Sequence, residues 1–258
     1  MFRFIHAADL HLDSQCKNLK EKNQTIGNRL QRATFDAYET LIDLCIEKEV
    51  SFLVIAGDVF DGETKSLQAQ LKFRDGLVRL DKHGINAFIC HGNHDPLDSW
   101  KANLSFPTNV HQFKEQAEQV PGYVDGSIQY RVCGISYPTK QIKHSLLNKF
   151  PKPDWPEFTI GLLHANVGNN DRHEPYAPCT VEELTELGYD YWALGHVHTR
   201  VELQQNHPWI GYPGNSQGRS PIETGPRGVY VVEVGDDKRV TPEFVAVHAV
   251  LWLSLIHI

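Results

Sequence analysis

Long hydrophobic runs are missing from this sequence. No stretch reaches the roughly 20 apolar residues a membrane helix requires, which excludes a helical span on sequence grounds. Cysteine is sparse: the 5 present are Cys16, Cys45, Cys90, Cys133 and Cys179, with no CxxC spacing. That excludes a disulfide framework and predicts reduced thiols in a cytosolic protein, with Cys45 and Cys90 in the core. Positive charge is also short, with 25 Lys and Arg against 32 Asp and Glu, a net charge of -7. A freestanding, non-specific DNA binder works by neutralising phosphates, so this balance argues against one. No targeting leader is expected, because the chain opens directly into the strand-like Phe2-Arg3-Phe4-Ile5. Internal repeats and low-complexity segments are absent too.

What is present is an ordinary globular composition, 41% hydrophobic over 258 residues, enough for one large or two small domains with an ample core. The first third alternates regularly. Phe2–Ala8 reads as a strand. From Asn28 to Lys48 apolar residues recur at Leu30, Ala33, Ala37, Leu41, Leu44 and Cys45, a helical stripe. Ser51–Ala56 and Ile85–Cys90 are continuous apolar runs, the pattern of strands buried on both faces. Between them Ser66–His83 predicts a helix stopped by Gly84. This order is that of a layered α/β sheet, whose ligands gather at strand C-terminal ends.

Further along, strands are expected at Ile128–Ser136, Phe158–Leu163 and Tyr189–Leu194, and a basic helix at Lys140–Phe150. Pro151, Pro153 and Pro156 mark a rigid connection. Val181–Leu187 predicts a short helix capped by Thr180. Strands follow at Arg200–Gln204, Trp209–Tyr212, Gly228–Val234 and Val240–Val247. Two sheets packed face to face with helices outside are the economical arrangement.

The chemistry lies in short polar clusters that each follow a strand-like run: Asp9-Leu10-His11, Gly57-Asp58, Gly92-Asn93-His94-Asp95, His164 and Gly195-His196-Val197-His198. Asp9 and His11, two apart, face one side, and so do His196 and His198. A carboxylate such as Asp58 bridges two cations as a lone imidazole does not. The donors divide into Asp9, His11, Asp58 and His198 on one metal, and Asp58, Asn93, His164 and His196 on the other. Mixed nitrogen and oxygen donors without thiolate suit Mn, Fe or Zn better than Mg or Ca. Two such cations would offset about four negative charges of the chain, so the charge balance weakens a nucleic-acid role without excluding it. His94, beside a ligand, is free to face substrate and is assigned transition-state stabilisation and protonation of the leaving oxygen. Asp95 is expected to accept its other ring N–H. Asp61 is either a similar support or a turn former before Gly62.

This set of motifs resembles the calcineurin-like metallophosphoesterase superfamily over nearly the whole chain. Within it, Ala8–Ser14, His91–Pro96, His164–Gly168, Tyr212–Arg219 and Glu223–Gly228 are most similar to the DNA-repair exonucleases of the SbcD group, in particular a YhaO-type branch. The resemblance implies an α/β fold, a four-layer α/β/β/α sandwich of two mixed sheets flanked by helices, spanning residues 1–252. It implies two divalent metals about 3.5–4 Å apart, manganese foremost, with a hydroxide between them attacking phosphorus in line. It implies DNA as substrate, an SMC-like ATPase and a second copy of the chain as partners, and no membrane. The group's additional C-terminal elements would begin where this chain stops. Residues 253–258 read as an adapter-derived scar.

Two other readings stand beside the nuclease: a cyclic-nucleotide or nucleotide phosphoesterase on the same scaffold, and a non-catalytic module that docks an ATPase or DNA. The phosphoprotein phosphatases of the superfamily have Arg after the Asp that corresponds to Asp61, where this chain has Gly62. Substrate contacts are sought in the polar loop Asn169–Pro178, at Arg172, His173 and Tyr176, which otherwise is plain surface loop. Arg219 and Arg227 either meet phosphates or pair with carboxylates. Lys17, Lys20, Lys22, Arg29 and Arg32 either guide a DNA backbone or form a solvated helix start.

Overall fold

The structure is a computed structural model that describes residues 1–12, 14, 24–62, 66–168 and 175–254. Its elements follow in chain order: β1 (Phe2–Ala7), α1 (Gln24–Glu47), β2 (Phe52–Ala56), α2 (Leu67–Asp81), β3 (Asn86–Cys90), β4 (Val110–Gln112), β5 (Glu118–Val124), β6 (Ser127–Gly134), β7 (Phe158–His164), α3 (Val181–Glu186), β8 (Tyr191–Gly195), β9 (Val201–Gln204), β10 (Trp209–Tyr212), β11 (Gly228–Val234) and β12 (Val240–Ala246). One sheet runs β12-β11-β1-β2-β3-β4 and the other β5-β6-β7-β8-β10-β9. As the strand–helix alternation implies, β1, β2 and β3 pair in parallel. The later β11 joins β1 antiparallel, so the sheet is mixed.

Three apolar layers hold four layers of structure. Leu41, Ile42, Phe73 and Leu77 of α1 and α2 pack on Leu53, Ile55 and Ala87 of the first sheet. Between the sheets lie Phe4, Phe52, Val54, Tyr130, Ile160 and Tyr191, with Phe52 stacked on Tyr130 at 4.0 Å. Beyond the second sheet, Trp192 and Leu163 meet Leu184 of α3. Strands such as Phe52–Ala56 are buried throughout because one side chain set faces the helices and the alternate set faces the other sheet. This is the α/β/β/α arrangement expected, and no helix among the described residues is long and apolar enough to cross a membrane.

Local signals worked where local interactions decide. Ser66 caps α2 by accepting the Ala69 amide at 3.1 Å. Thr180 and Glu183 form a reciprocal capping box on α3. One expectation fails: Lys140–Phe150 is not a helix but an irregular strap with a single 3-10 turn at Leu147–Lys149. Its buried Ile142, Leu146, Leu147 and Phe150 have helical spacing. The Ile142 carbonyl, however, accepts the Ala177 amide at 2.7 Å, so the backbone is held by its neighbour instead of by an internal ladder. Strands β4 and β5 are additional to those the sequence predicts; β5 contains Pro121 and survives because it is a sheet edge, where a missing N–H is tolerated. At the other end of the chain, Trp252 is still part of the fold, donating its indole N–H to the Gly218 carbonyl at 2.9 Å.

Candidate metal centre

The C-terminal ends of β1, β2, β3, β7 and β8 meet at one edge of the sandwich. The turns that follow are backbone outliers: Asp9, His11, Asp58 and His196 have φ of 52, 44, 51 and 103°. Non-glycine residues adopt positive φ rarely and at a cost of roughly 1–3 kcal/mol each, so they persist only where surrounding bonds over-determine them. Here they do: the amides of Asp9, His11 and Leu12 donate to the carbonyls of Gly57, Asp58 and Val59 at 3.1, 3.1 and 3.0 Å. The first two polar turns thereby zip together, and both turn their side chains into the cleft. The His164 ring ties the sheets across this edge, its Nδ1 donating to the Ala56 carbonyl at 2.9 Å.

The donors come into contact. His11 Nε2 and His198 Nε2 are 3.2 Å apart. His164 Nε2 lies 3.0 Å from Asn93 Oδ1 and 3.3 Å from Asp58 Oδ2. Asp58 Oδ2 is also 3.9 Å from His11 Nε2, so this carboxylate stands between the two histidine groups, its Oδ1 fixed by the His94 amide at 2.9 Å. Asp9 accepts the His196 amide at 3.1 Å and belongs to two of the three donor clusters among the described residues, one with His11 and His198 and one with Asp58 and His164; the third is His11, Asp61 and His94. The sequence pattern assigns Asp9 to one metal alone. The His196 ring sits edge-on to His164 at 5.2 Å and to Tyr176 at 5.6 Å, outside the three-donor clusters found among the described residues.

Burial sets the electrostatics. It pushes the Asp9 carboxyl up, against the pull of His164 and His198. It would push Asp58 up as well, but His164 and His11 outweigh it and hold that carboxyl far below the usual range. Burial, followed by the Arg219 charge, lowers His11 to about 4. For His164 burial works against the charged form, yet Asp58 prevails and raises it to about 9.

The residues fit divalent cations. His198 Nδ1 donates to Glu223 Oε1 at 2.8 Å, which leaves a lone pair on Nε2. His11 is neutral, and its buried Nδ1 has no hydrogen-bond partner, with Asp61 Oδ1 standing 3.6 Å away. The two Nε2 atoms meet at 3.2 Å, an imidazole nitrogen from each of two residues converging on one point as the ligands of a cation do. At His164 the Nδ1 proton is committed to Ala56, so the Nε2 proton that now serves Asn93 and Asp58 occupies the place a cation would take. Glu223 is a residue the sequence did not reveal. Burial raises its carboxyl, but the His198 ring N–H and the Arg219 amide bring it to about 2. It holds the His198 tautomer as carboxylates beside metal-binding histidines do.

His94 has a different partner from the one expected. Its Nδ1 meets Asp61 Oδ1 at 3.0 Å, and this bond, ahead of the opposing burial, raises the His94 pKa. Asp95 instead points beneath its own turn, accepting from Gly92 and Val59 amides at 2.8 and 3.1 Å and pairing with His91 Nδ1 at 3.0 Å. The reason is geometric: adjacent residues in a tight turn aim apart, and a buried carboxylate takes the nearest unpaired amides. Asp61 is thus the support for His94 and no mere turn former. Arg219 donates to Asp61 Oδ2 at 2.8 Å. Arg227 is buried and serves the carbonyls of His198 and Thr224 and the Asn215 side chain. Tyr176 borders the centre, while Arg172, His173, Lys17, Lys20 and Lys22 lie outside the described residues.

The calcineurin-like phosphoesterase family matches residues 2–200, and the chain belongs to that family. It is 36% identical over 250 residues to the uncharacterized metallophosphoesterase YhaO of Bacillus subtilis (strain 168), covering 96% of this chain and 61% of that protein. It is 28% identical over 213 residues to the DNA double-strand break repair protein Mre11 of Saccharolobus solfataricus, covering 80% of this chain and 52% of that one. The chain therefore spans about half to three-fifths of the length of these curated relatives. They agree with the DNA-repair branch that the motifs resemble. Among solved structures, TT1561 of Thermus thermophilus superposes with a TM-score of 0.50 at 10% identity, over 95% of this chain and 99% of that one, a likeness of fold alone.

Proposed function

We propose that this chain is the nuclease domain of a DNA-processing enzyme, a two-metal phosphodiester hydrolase using manganese, with Fe or Zn as the other metals its donors suit. One observation carries the reading: donors from separate segments, all buried but the half-buried His198, converge in two contacting sets, His11 with His198 and His164 with Asn93, and Asp58 stands between them. In this reading Asp9, His11, Asp58 and His198 hold one cation, and Asp58, Asn93, His164 and His196 the other. Bound there, the pair supplies Lewis acidity and a water acidic enough to be a nucleophile at neutral pH.

The chain's own residues supply the rest. His94 keeps about a third of its side chain exposed, 34%, which a group must do to reach substrate. Asp61 holds Nδ1, so Nε2 carries the proton that goes to the leaving oxygen. Arg219 fixes Asp61 from the other side. Tyr176 is a substrate contact, and Arg172 and His173, close to it in sequence, are candidates for the same role. The relatives named for DNA double-strand break repair support DNA as substrate. By family resemblance the partners are an SMC-like ATPase and a second copy of the chain, in the cytoplasm.

The test offers manganese-loaded protein labelled double- and single-stranded DNA beside cyclic nucleotides and p-nitrophenyl phosphate esters. DNA shortening, abolished by His94→Ala with metal retained, is the expected result. Turnover of the small esters with intact DNA would replace the nuclease by a small-substrate phosphodiesterase.

A further inference from the structure

A cleft of about 200 Å³ opens beside the metal centre, lined by Asn93, His94, Asp98, Trp100 and Lys140 among others. It shares Asn93 and His94 with the site, so it continues the site. Trp192 and Trp209 are buried, but Trp100 is 58% exposed. Leaving an indole in water forgoes a large apolar burial, and such rings pay off where a flat ligand covers them. The walls are fixed. The Leu97 and Asp98 amides donate to the Tyr137 and Pro138 carbonyls at 2.9 and 3.2 Å, and the Ser99 amide donates to the Pro96 carbonyl at 3.1 Å. Trp100 and Lys140 are therefore carried by two backbone segments bonded to each other.

We propose that this cleft is the subsite for the nucleoside that departs from the scissile phosphate, its base stacked on Trp100. The inference rests on the phosphodiesterase reading above and extends it to substrate recognition. His94 there protonates the leaving oxygen, so what departs must lie against His94, where the cleft begins. The cleft is smaller than a pocket for a drug-sized ligand and suits a single ring system with its sugar. Its wall carries one acid, Asp98, opposite in sign to Lys140, which suits a neutral base better than a further phosphate. Stacking on an indole tolerates any base, because every base presents a π-face. Trp100 is thus a specificity-determining residue, selecting nucleosides over simple alcohols as leaving groups.

The experiment uses dinucleotides in which the base is removed from one nucleoside or the other, cleaved by manganese-loaded protein. The product released without phosphate identifies the departing side. Loss of that base is expected to lower kcat/KM roughly five- to a hundredfold, whereas loss of the other base has a smaller effect. Trp100→Ala is expected to erase the difference and Trp100→Phe to keep most of it. A second measurement titrates metal-free protein with adenosine: saturable quenching of tryptophan fluorescence that vanishes in Trp100→Ala is expected. Cleavage that ignores the departing base overturns the subsite and leaves the phosphodiesterase reading standing. Absence of diester cleavage overturns that reading, and the fluorescence titration then decides the subsite: Trp100-dependent quenching retains it, and none removes it.

Discussion

His11 and His198 confront each other through Nε2 at 3.2 Å, and each has its remaining ring nitrogen directed to a carboxylate, Asp61 and Glu223 respectively. The two imidazole nitrogens thus converge on one point. The His164 side is built differently: its Nε2 carries a proton between Asn93 and Asp58. Proton and cation compete for that atom.

Metal uptake is accordingly coupled to proton release. His164 is raised to about 9 from an ordinary 6.5, because Asp58 outweighs burial, so it is protonated at neutral pH in the metal-free protein. Binding of a divalent cation near pH 7.5 should release about one proton from this residue, and affinity should tighten as pH rises toward 9. In the metal-free protein the same raised value gives stability that is complete below 6.5 and is lost as pH climbs through 9. Calorimetric titrations in buffers of different ionisation enthalpy count the protons. A buffer-independent heat, with affinity flat across this range, would remove the competition.

Asp61 positions His94 through the 3.0 Å bond to Nδ1. Asp61→Asn keeps the shape but not the charge that raises the His94 pKa. Turnover should fall about 10–100-fold. A general acid works below its own pKa, so the alkaline limb of the pH–rate profile should also move to lower pH. Metal content, read by elemental analysis, should stay near that of the parent. Loss of both metals with no shift of the limb would make Asp61 structural instead.

The sequence made His11, His164 and His198 legible because each sits just past a buried run, and buried runs must end at a sheet edge. Glu223 and Arg219 were not legible in their roles. They come from a Gly/Pro-rich stretch after β10 whose path depends on where the rest of the fold lies. Asp95 misled because neighbours in sequence are easily taken for partners, while the turn at Gly92–Asp95 sends its carboxylate inward. The 140–150 strap misled for a related reason: helical spacing of apolar residues serves equally well for a segment pressed against a sheet.

Gly92 is where the site leaves no room. A Cβ there would lie 2.4 Å from Asp58 Oδ1 and 2.7 Å from His164 Nε2. Both atoms belong to bonded donors with nowhere to retreat. Gly92→Ala should therefore weaken metal binding sharply while costing about 1–3 kcal/mol of stability. Chemical denaturation of chelated protein separates the two effects. A variant with parental affinity would mean that Asp58 is free to move and is not the fixed point of the centre.

His6 tests the interior of the sandwich apart from the metals. It is fully buried on β1, with Nε2 donating to the Leu194 carbonyl at 3.1 Å and Nδ1 accepting from the Tyr191 hydroxyl at 3.0 Å. Both ring nitrogens are satisfied only in the neutral form. Burial lowers its pKa to about 3, with the Leu194 carbonyl pulling weakly the other way. The value is depressed from 6.5, so the unfolded chain binds this proton first: the contribution is complete above 6.5 and is lost as pH falls toward 3. At pH 5 the loss from this residue is roughly 2 kcal/mol. Urea unfolding of chelated protein at pH 7.5 and pH 5 should therefore differ by that amount more in the parent than in His6→Gln, whose amide can donate to the same carbonyl but takes up no proton. Other buried histidines, His11 among them, are present in both proteins and cancel in the comparison. Equal pH dependence in parent and variant would mean that His6 is hydrated or charged in the folded state, and the two sheets would then not be sealed along β1 and β8.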